Sequence, residues 1–497
     1  MPIRLLARAL ASLSTPALMR LGAVLGWIWY RLIPIRRKAA REALARAFPE
    51  KSAEERERIL RINFVHLVRS LLEAIALIAY PEERLRKLVR FEGLDEAVDA
   101  ARAAGKGIIC LSAHQGSFEF CMGAYGIFRP EIPRVIIARI PKAGFARALL
   151  DAVRERTKIE VLAPKGSFRP VVKMLRDNRQ ILGFVADQNM ARGRGVFVPF
   201  FGRLAGTTVG FSLIHRSSGA WVVPGWNERL EDGTHVGHWG PPIELSTHPN
   251  LKIALLEDAY RVSKITERWV RDRPEQWFWV HRRWKSQPRP GDVVRTDRGL
   301  EIAGKPGRIG VLLDRDGTIN MELGRAVLHP DELALVPGAA EAIRRLNDAA
   351  IPVLVITNQA AIARGQIDEA GLEAIHARMR ELLAKEGARV DAIYYCPHHP
   401  TEGRDPWRLE CDCRKPAPGL VKKAQREWDL NLEASLFVGD RETDVKTARS
   451  CGMRVVVVSN GWTHAEWQKA EGADDVAPDL VKAVDSFLDR TLEANEA

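Results

Sequence analysis

The chain has 497 residues, 46% of them hydrophobic and 28% charged, with 38 glycines and 28 prolines. Those proportions exclude collagen-like, low-complexity and wholly disordered classes, and at ~100–200 residues per domain the length predicts two to four domains. The formal charge of +12 is unevenly spread, +20 on residues 1–300 and −8 on residues 301–497, so the two halves meet different partners; a basic half suits nucleic acid, an anionic membrane or an acidic protein, and motifs must choose.

Residues 16–34 are apolar apart from Arg20 and Arg31, which leaves ten uncharged residues between the two arginines. A spanning helix needs ~20. Trp27, Trp29 and Tyr30 precede Arg31, Arg36, Arg37, Lys38 and Arg41, the aromatic-then-basic order expected where a helix meets anionic headgroups. An interfacial or shallowly inserted anchor is therefore expected, with a buried amphipathic helix as the alternative. No small-residue cleavage site follows, so a removable signal peptide is not expected. Six cysteines are too few for a disulfide framework, which favours a reducing, intracellular compartment.

From residue 107, Gly-Ile-Ile-Cys-Leu-Ser-Ala-His reads as a short buried strand ending on His114, with Glu119 five residues on. A carboxylate near an imidazole can fix its tautomer and leave the other nitrogen free to take a proton from a hydroxyl, as acyl transfer to an alcohol requires. Taken alone the pair is a weak signal, since a histidine at a strand end is more often structural. The segments Phe184-Val-Ala-Asp-Gln-Asn-Met, Arg192-Gly-Arg-Gly-Val-Phe-Val-Pro-Phe-Phe-Gly, Gly219-Ala-Trp-Val-Val-Pro and Pro274-Glu-Gln-Trp-Phe-Trp-Val-His-Arg-Arg-Trp-Lys follow in that order. Together they resemble the late (secondary) lipid A acyltransferase family over residues 1–290. The resemblance implies an α/β acyltransferase fold on the cytoplasmic face of the inner membrane, an acyl carrier protein thioester as donor and a lipid A precursor as acceptor. It implies His114 as general base and Glu119 as its orienting partner, with Arg154 and Asp187 supporting; Arg156 lies beside the first of these. Phe197–Phe201 and the Trp277–Trp284 cluster read as core or membrane-contacting surface. An acidic carrier protein and an anionic membrane surface both suit a half of charge +20, and nothing here resembles a nucleic-acid module.

Residues 286–307 hold three prolines and four glycines without sustained periodicity, and the charge sign reverses there. A linker is expected over 291–307, dividing an acyltransferase domain, 1–290, from a second domain, 308–497.

Ile309-Gly-Val-Leu-Leu is a buried strand that delivers Asp314-Arg-Asp316-Gly-Thr. Two acids spaced by two offer a nucleophile and a proton donor to a phosphoryl group, provided a divalent cation screens their charge. A second strand ends in Thr357-Asn358-Gln359, Arg414-Lys415-Pro supplies cations, and Leu436-Phe-Val-Gly-Asp440 ends a third strand in another acid. These stations resemble the haloacid dehalogenase superfamily of phosphatases, with a Rossmann-like parallel sheet. In that likeness Asp314 forms an aspartyl phosphate and Asp316 protonates the leaving group and then activates water. Thr357 and Lys415 bind the phosphoryl group, with Asn358 and Arg414 beside them, and Arg441 touches substrate. Asp314, Asp440 and the Asp316 main-chain carbonyl hold Mg²⁺, with Asp444 in a supporting place.

Cys396-Pro-His398 and Cys411-Asp-Cys413 offer three thiolates and an imidazole, a set suited to a closed, structural Zn²⁺ site, with His399 as a competitor for His398. A zinc loop just before Arg-Lys-Pro looks like the heptose 1,7-bisphosphate phosphatase branch and its relative acting on histidinol phosphate. Ala360-Ala361 stands where that pattern usually has Ser-Gly. The combined expectation is a bifunctional, membrane-associated enzyme of lipopolysaccharide assembly. The alternatives are a first domain that acylates another lipid or serves only as a membrane tether, and a phosphatase for histidinol phosphate or another sugar phosphate.

Overall fold

The computed structural model describes residues 2–177, 180–459 and 472–493. The chain forms two compact units, Met1–Leu245 with Asp258–Gln287 and Ser246–Glu257 with Pro288–Ala497.

The first unit opens with four helices, α1 (Pro2–Ala11), α2 (Thr15–Leu32), α3 (Arg37–Ala47) and α4 (Ala53–Ala76). Ser14 caps α2 by accepting from the Ala17 N–H, and Ser52 with Glu55 forms a capping box that starts α4. α2 lies against α4 through Gly22 and Gly26, where a Cβ on Gly26 would stand 2.4 Å from Val65 Cα, so the helices touch backbone to backbone. The segment expected to be an anchor is thus partly built into the fold: Leu18, Met19 and Tyr30 are buried, while Val24, Leu25, Trp27, Leu32 and Ile33 are exposed. Among the described residues no single helix is long and apolar enough to cross a membrane; α2 and α3 meet that length and composition only together, bent by 94°.

Behind the helices lie β1 (Val89–Glu92), β2 (Ile108–Ser112), β3 (Arg134–Ile137), β4 (Glu160–Leu162), β5 (Ile181–Val185), the hairpin β6 (Val196–Phe200) and β7 (Arg203–Thr207), β8 (Trp221–Arg229) and β9 (His235–Trp239). Seven of these form one sheet in the order β1-β9-β8-β2-β5-β3-β4, parallel except for the β8–β9 pair. β2, Ile-Ile-Cys-Leu-Ser, is buried at all five positions, as an unbroken apolar run at a sheet centre should be. The aromatic segments are core: Trp277, Trp279 and Trp284 pack with Phe200, Phe201, Phe48 and Phe64.

In the second unit the expected linker carries an ordered hairpin, β10 (Val293–Thr296) and β11 (Gly299–Ile302), closed by Asp297-Arg298, with Val293, Val294 and Leu300 buried. The main sheet comprises β12 (Val311–Leu313), β13 (Val353–Asn358), β14 (Ala392–Cys396), β15 (Leu436–Gly439), β16 (Arg454–Val458) and β17 (Asp475–Ala477). Its order is β14-β13-β12-β15-β16-β17, with every pair parallel. β12 pairs with β13 on one side and β15 on the other, which makes its carboxyl end the topological switch point where open α/β sheets bind ligands.

Candidate active sites

In the first unit the sheet register builds the site. β2 and β5 run parallel with Ser112 opposite Val185, so His114 and Asp187, each two residues past a strand end, face each other. The Nδ1 of His114 lies 2.7 Å from Asp187 Oδ1, while Asp187 Oδ2 accepts from the His114 N–H at 2.8 Å and from Trp277 Nε1 at 2.7 Å. Burial alone would push the Asp187 pKa up, but the imidazole and these donors bring it below the usual aspartate range. Burial likewise works against a charged His114, and the Asp187 carboxylate outweighs it, so the histidine pKa is raised. The network assigns the proton to Nδ1 and leaves Nε2 as acceptor, where the exposed Gln188 donates its amide at 2.9 Å. Phe118 and Phe278 stand against the ring, with centroids 4.9 and 5.8 Å away.

Glu119 is not the partner of His114. It lies in the first turn of the helix Phe118–Phe128, where the surrounding protein raises the pKa of its carboxyl by desolvation, and it acts on His114 through space while Asp187 holds Nδ1. Arg154 sits near the carboxyl end of the helix Gly144–Thr157, a favourable place for a cation, and no hydrogen bond joins it to His114 among the described residues. Its neighbour Arg156 donates to the Tyr80 carbonyl at 2.9 Å.

Sequence reasoning missed three supports. Trp277, read as core or surface, donates directly to Asp187. Gln188 faces Nε2 of His114. Gln276 accepts from the Gly116 N–H on its main-chain oxygen at 3.1 Å and exchanges two hydrogen bonds with the Arg229 backbone, tying the His114–Glu119 loop to β8. Arg229 is itself fixed by a buried ion pair with Glu73 at 2.5 Å. Indole and amide groups in an aromatic-rich stretch give no sequence signal of such roles, because their partners lie in other strands.

In the second unit Asp314 follows β12 and Asp440 follows β15. Lys415 Nζ lies 2.7 Å from Asp314 Oδ1 and 2.6 Å from Asp444 Oδ1. Asp314, Asp440 and Asp444 are all buried and each brings a carboxylate oxygen within 4.8 Å of the others. Burial first, and then the neighbouring carboxylates, push Asp314 up to about 6 and Asp440 up to about 8. Among the described residues Asp440 Oδ1 is buried without a hydrogen-bond partner, and a Cβ on Gly317, whose φ is 78°, would stand 2.1 Å from Asp440 Oδ2. An oxygen-only group with an orphaned acceptor and three acids around one ammonium fits a hard divalent cation. Asp444, expected beside the site, thus belongs to the acidic group itself.

The Asp316 side chain stands outside that group. It accepts from Arg315 at 2.8 Å, Asn320 at 3.0 Å and Gln359 at 2.8 Å, and these donors overcome burial to lower its pKa. Thr357 is the last residue but one of β13, and its hydroxyl accepts from Gln359 at 3.0 Å. Asn358, expected on the phosphoryl group, is instead spent on the Lys415 main chain: Oδ1 accepts its N–H and Nδ2 donates to its carbonyl, both at 3.0 Å. Arg414 donates to the His398 carbonyl at 3.1 Å, and Arg441 pairs with Glu322 at 2.5 Å.

Cys396 and His398, at the end of β14, meet Cys411 and Cys413. The sulfurs are 3.2–3.6 Å apart and His398 Nδ1 is 3.2 Å from Cys413 Sγ. Sulfurs at ~2.3 Å around a tetrahedral ion lie about 3.8 Å from each other, so the four atoms fit a zinc ion with a small expansion. His399 accepts main-chain N–H groups of Thr401 and Glu402 on its Nδ1 and lies outside the cluster.

Residues 4–286 match the family model of the bacterial lipid A biosynthesis acyltransferases, and residues 412–483 match a HAD-hydrolase-like model. The second half is similar to the D-glycero-β-D-manno-heptose-1,7-bisphosphate 7-phosphatase of Pseudomonas aeruginosa, 43% identical over 151 residues, which are 30% of this chain and 81% of the relative. It is also similar to that of Escherichia coli, 39% identical over 149 residues, 30% of this chain and 78% of the relative. Among solved structures, a D,D-heptose 1,7-bisphosphate phosphatase from B. bronchiseptica complexed with magnesium and phosphate is 36% identical, with a TM-score of 0.33, over 37% of this chain and 99% of that one. The chain therefore belongs to the bacterial lipid A biosynthesis acyltransferase family and, in its second half, to the heptose bisphosphate phosphatases of the HAD type, an acyltransferase and a phosphatase in one polypeptide.

Proposed function

We propose that the first unit transfers an acyl chain from an acyl carrier protein thioester to a hydroxyl of a lipid A precursor at the cytoplasmic face of the inner membrane. The second unit, in this reading, hydrolyses the 7-phosphate of D-glycero-D-manno-heptose 1,7-bisphosphate. The observation that carries the first half is the His114–Asp187 pair. With Nδ1–H held by the carboxylate, Nε2 takes the acceptor hydroxyl's proton as the oxygen attacks the thioester carbonyl. Asp187 stabilises the imidazolium, which then returns the proton to the departing thiolate.

In the second unit Asp314 attacks phosphorus and the bond to the sugar oxygen breaks, while Lys415 neutralises phosphoryl charge and Asp316 handles the proton of the leaving group and then of water. Arg315 keeps Asp316 ionised in the free site, ready to accept; donation requires the entering phosphate dianion to supply the countervailing charge. Asp314, Asp440 and Asp444 would hold Mg²⁺, which screens the nucleophile from the phosphate's charge. Cys396, His398, Cys411 and Cys413 would hold a structural Zn²⁺.

Lipid mass spectrometry of a deletion strain tests the first half, with an unchanged lipid A acyl count counting against it. The second half is tested by comparing heptose bisphosphate with histidinol phosphate as substrates; comparable turnover would overturn the heptose preference.

A further inference from the structure

Two adjoining cavities open beside the elbow between α2 and α3. One, of about 420 Å³, is lined by Pro34, Ile35, Arg36, Lys38, Ala39 and Arg282. The other, of about 440 Å³, shares Lys38, Ala39 and Arg282 with it and adds Arg46, His281, Arg283 and Lys285, with Glu42 as its one acid. Arg36, Lys38, Arg46, Arg282 and Lys285 are exposed, and no ion pair neutralises any of them among the described residues. Elsewhere in the same helices such charges are matched, as Arg41 is by Glu57 at 2.7 Å.

Arg283 sharpens the point. It is 1% exposed, and among the described residues its donors reach carbonyls and the Thr207 hydroxyl but no carboxylate, and its buried Nε has no hydrogen-bond partner. The Asp187 carboxylate acts on it only through space and the Phe200 ring lies 5.2 Å from its Cζ, so a buried guanidinium bonded to no carboxylate beside a cation-lined cavity gains from an entering anion. α3 adds to this, since Arg36, the residue that precedes it, is in a left-handed backbone conformation, φ 67°, and gives no side-chain cap, and the first turn holds no acid.

Two further observations say which anion. Exposed Trp27, Leu32, Ile33 and Ile35 flank the same elbow, so the anion belongs to a lipid. The lining is also tied to His114, because His281 accepts the Asn189 N–H at 2.8 Å and the adjacent Gln188 touches His114 Nε2. We infer that this groove binds a phosphate group carried by the lipid acceptor itself, orienting the molecule so that its hydroxyl reaches His114.

The inference rests on the acyltransferase reading above, and its test separates the two. The full chain, wild type and with Lys38→Gln and Arg282→Gln together, is assayed with a lipid A precursor and with the same lipid after removal of its phosphates. Binding of both lipids is measured in parallel without donor. The expected result is a rise of about tenfold or more in KM and Kd for the phosphorylated lipid in the variant, little change in kcat, and no change for the dephosphorylated lipid. Equal loss with both lipids, a loss confined to the KM of the carrier-protein donor, or equal loss of binding to vesicles of any anionic phospholipid would each overturn it. If the wild type transfers no acyl chain, the acyltransferase reading fails, while the binding comparison still decides the phosphate site.

Discussion

Replacing Asp187 by Asn removes one charge and one acceptor from a site where every atom is used. The buried carboxylate meets three N–H groups, two of them on Oδ2. An asparagine can turn its oxygen toward Nδ1 of His114, which strands the His114 N–H and Trp277 Nε1 at about 1–3 kcal/mol each. Alternatively it can keep its oxygen on those two donors and point its NH₂ at Nδ1. The second choice is cheaper by roughly the cost of those two stranded donors, and it forces His114 into the tautomer with the proton on Nε2, where it cannot act as base. The variant should therefore fold, with acyl transfer reduced about 10²–10⁴-fold.

Its pH profile should move as well. In the wild type the basic form of His114 appears as pH rises through a pKa held above 6.5 by Asp187. Without that carboxylate, burial acts with less opposition and the acidic limb shifts to lower pH. Imidazole ¹⁵N shifts report the tautomer, and kcat against pH reports the limb. Near-wild-type turnover in Asp187→Asn, with the loss appearing in Glu119→Gln, would make Glu119, and not Asp187, the residue that orients His114.

Other outcomes follow from the same geometry. Asp314→Asn should lower phosphate release by more than about 10⁴-fold with the fold intact by circular dichroism and acyl transfer untouched. Lys415→Met leaves three buried acids without their ammonium and should cost about 3–5 kcal/mol of stability, read by denaturant titration at neutral pH. Chelation of zinc should lower the thermal midpoint of the second unit before phosphatase activity is lost to magnesium removal, and elemental analysis should find about one zinc per chain; less than half would count against the site. The lowered pKa of Asp187 contributes stability above the ordinary aspartate pKa that is lost as pH falls through its folded value, so Asp187→Asn should flatten the acid limb of the stability curve.

What the sequence disclosed was mostly local. The Cys396–Cys413 ligands are brought together by one loop, so spacing sufficed, and the apolar runs ending at Asp314, Thr357 and Asp440 are strands whose ends alone determine a site. Glu119 drew attention because it is five residues from His114, whereas the pairing of His114 with Asp187 depends on β2 and β5 being neighbours with a fixed register, which no single segment encodes. Asn358 was misjudged for a similar reason, since its amide answers to a main chain 57 residues away. The hairpin at β10–β11 was obscured by flanking proline and glycine, although Val293, Val294, Leu300 and Ile302 bracket a two-residue turn.

One polypeptide carries an acyltransferase and a phosphatase, each with its candidate site at the carboxyl ends of its own sheet. Purified chain should release phosphate from heptose bisphosphate and transfer acyl groups from acyl carrier protein thioester to a lipid A precursor. His114→Ala should abolish the second reaction alone, and Asp314→Asn the first alone. Absence of either activity from the wild type, or loss of both through one substitution in a folded chain, would contradict it.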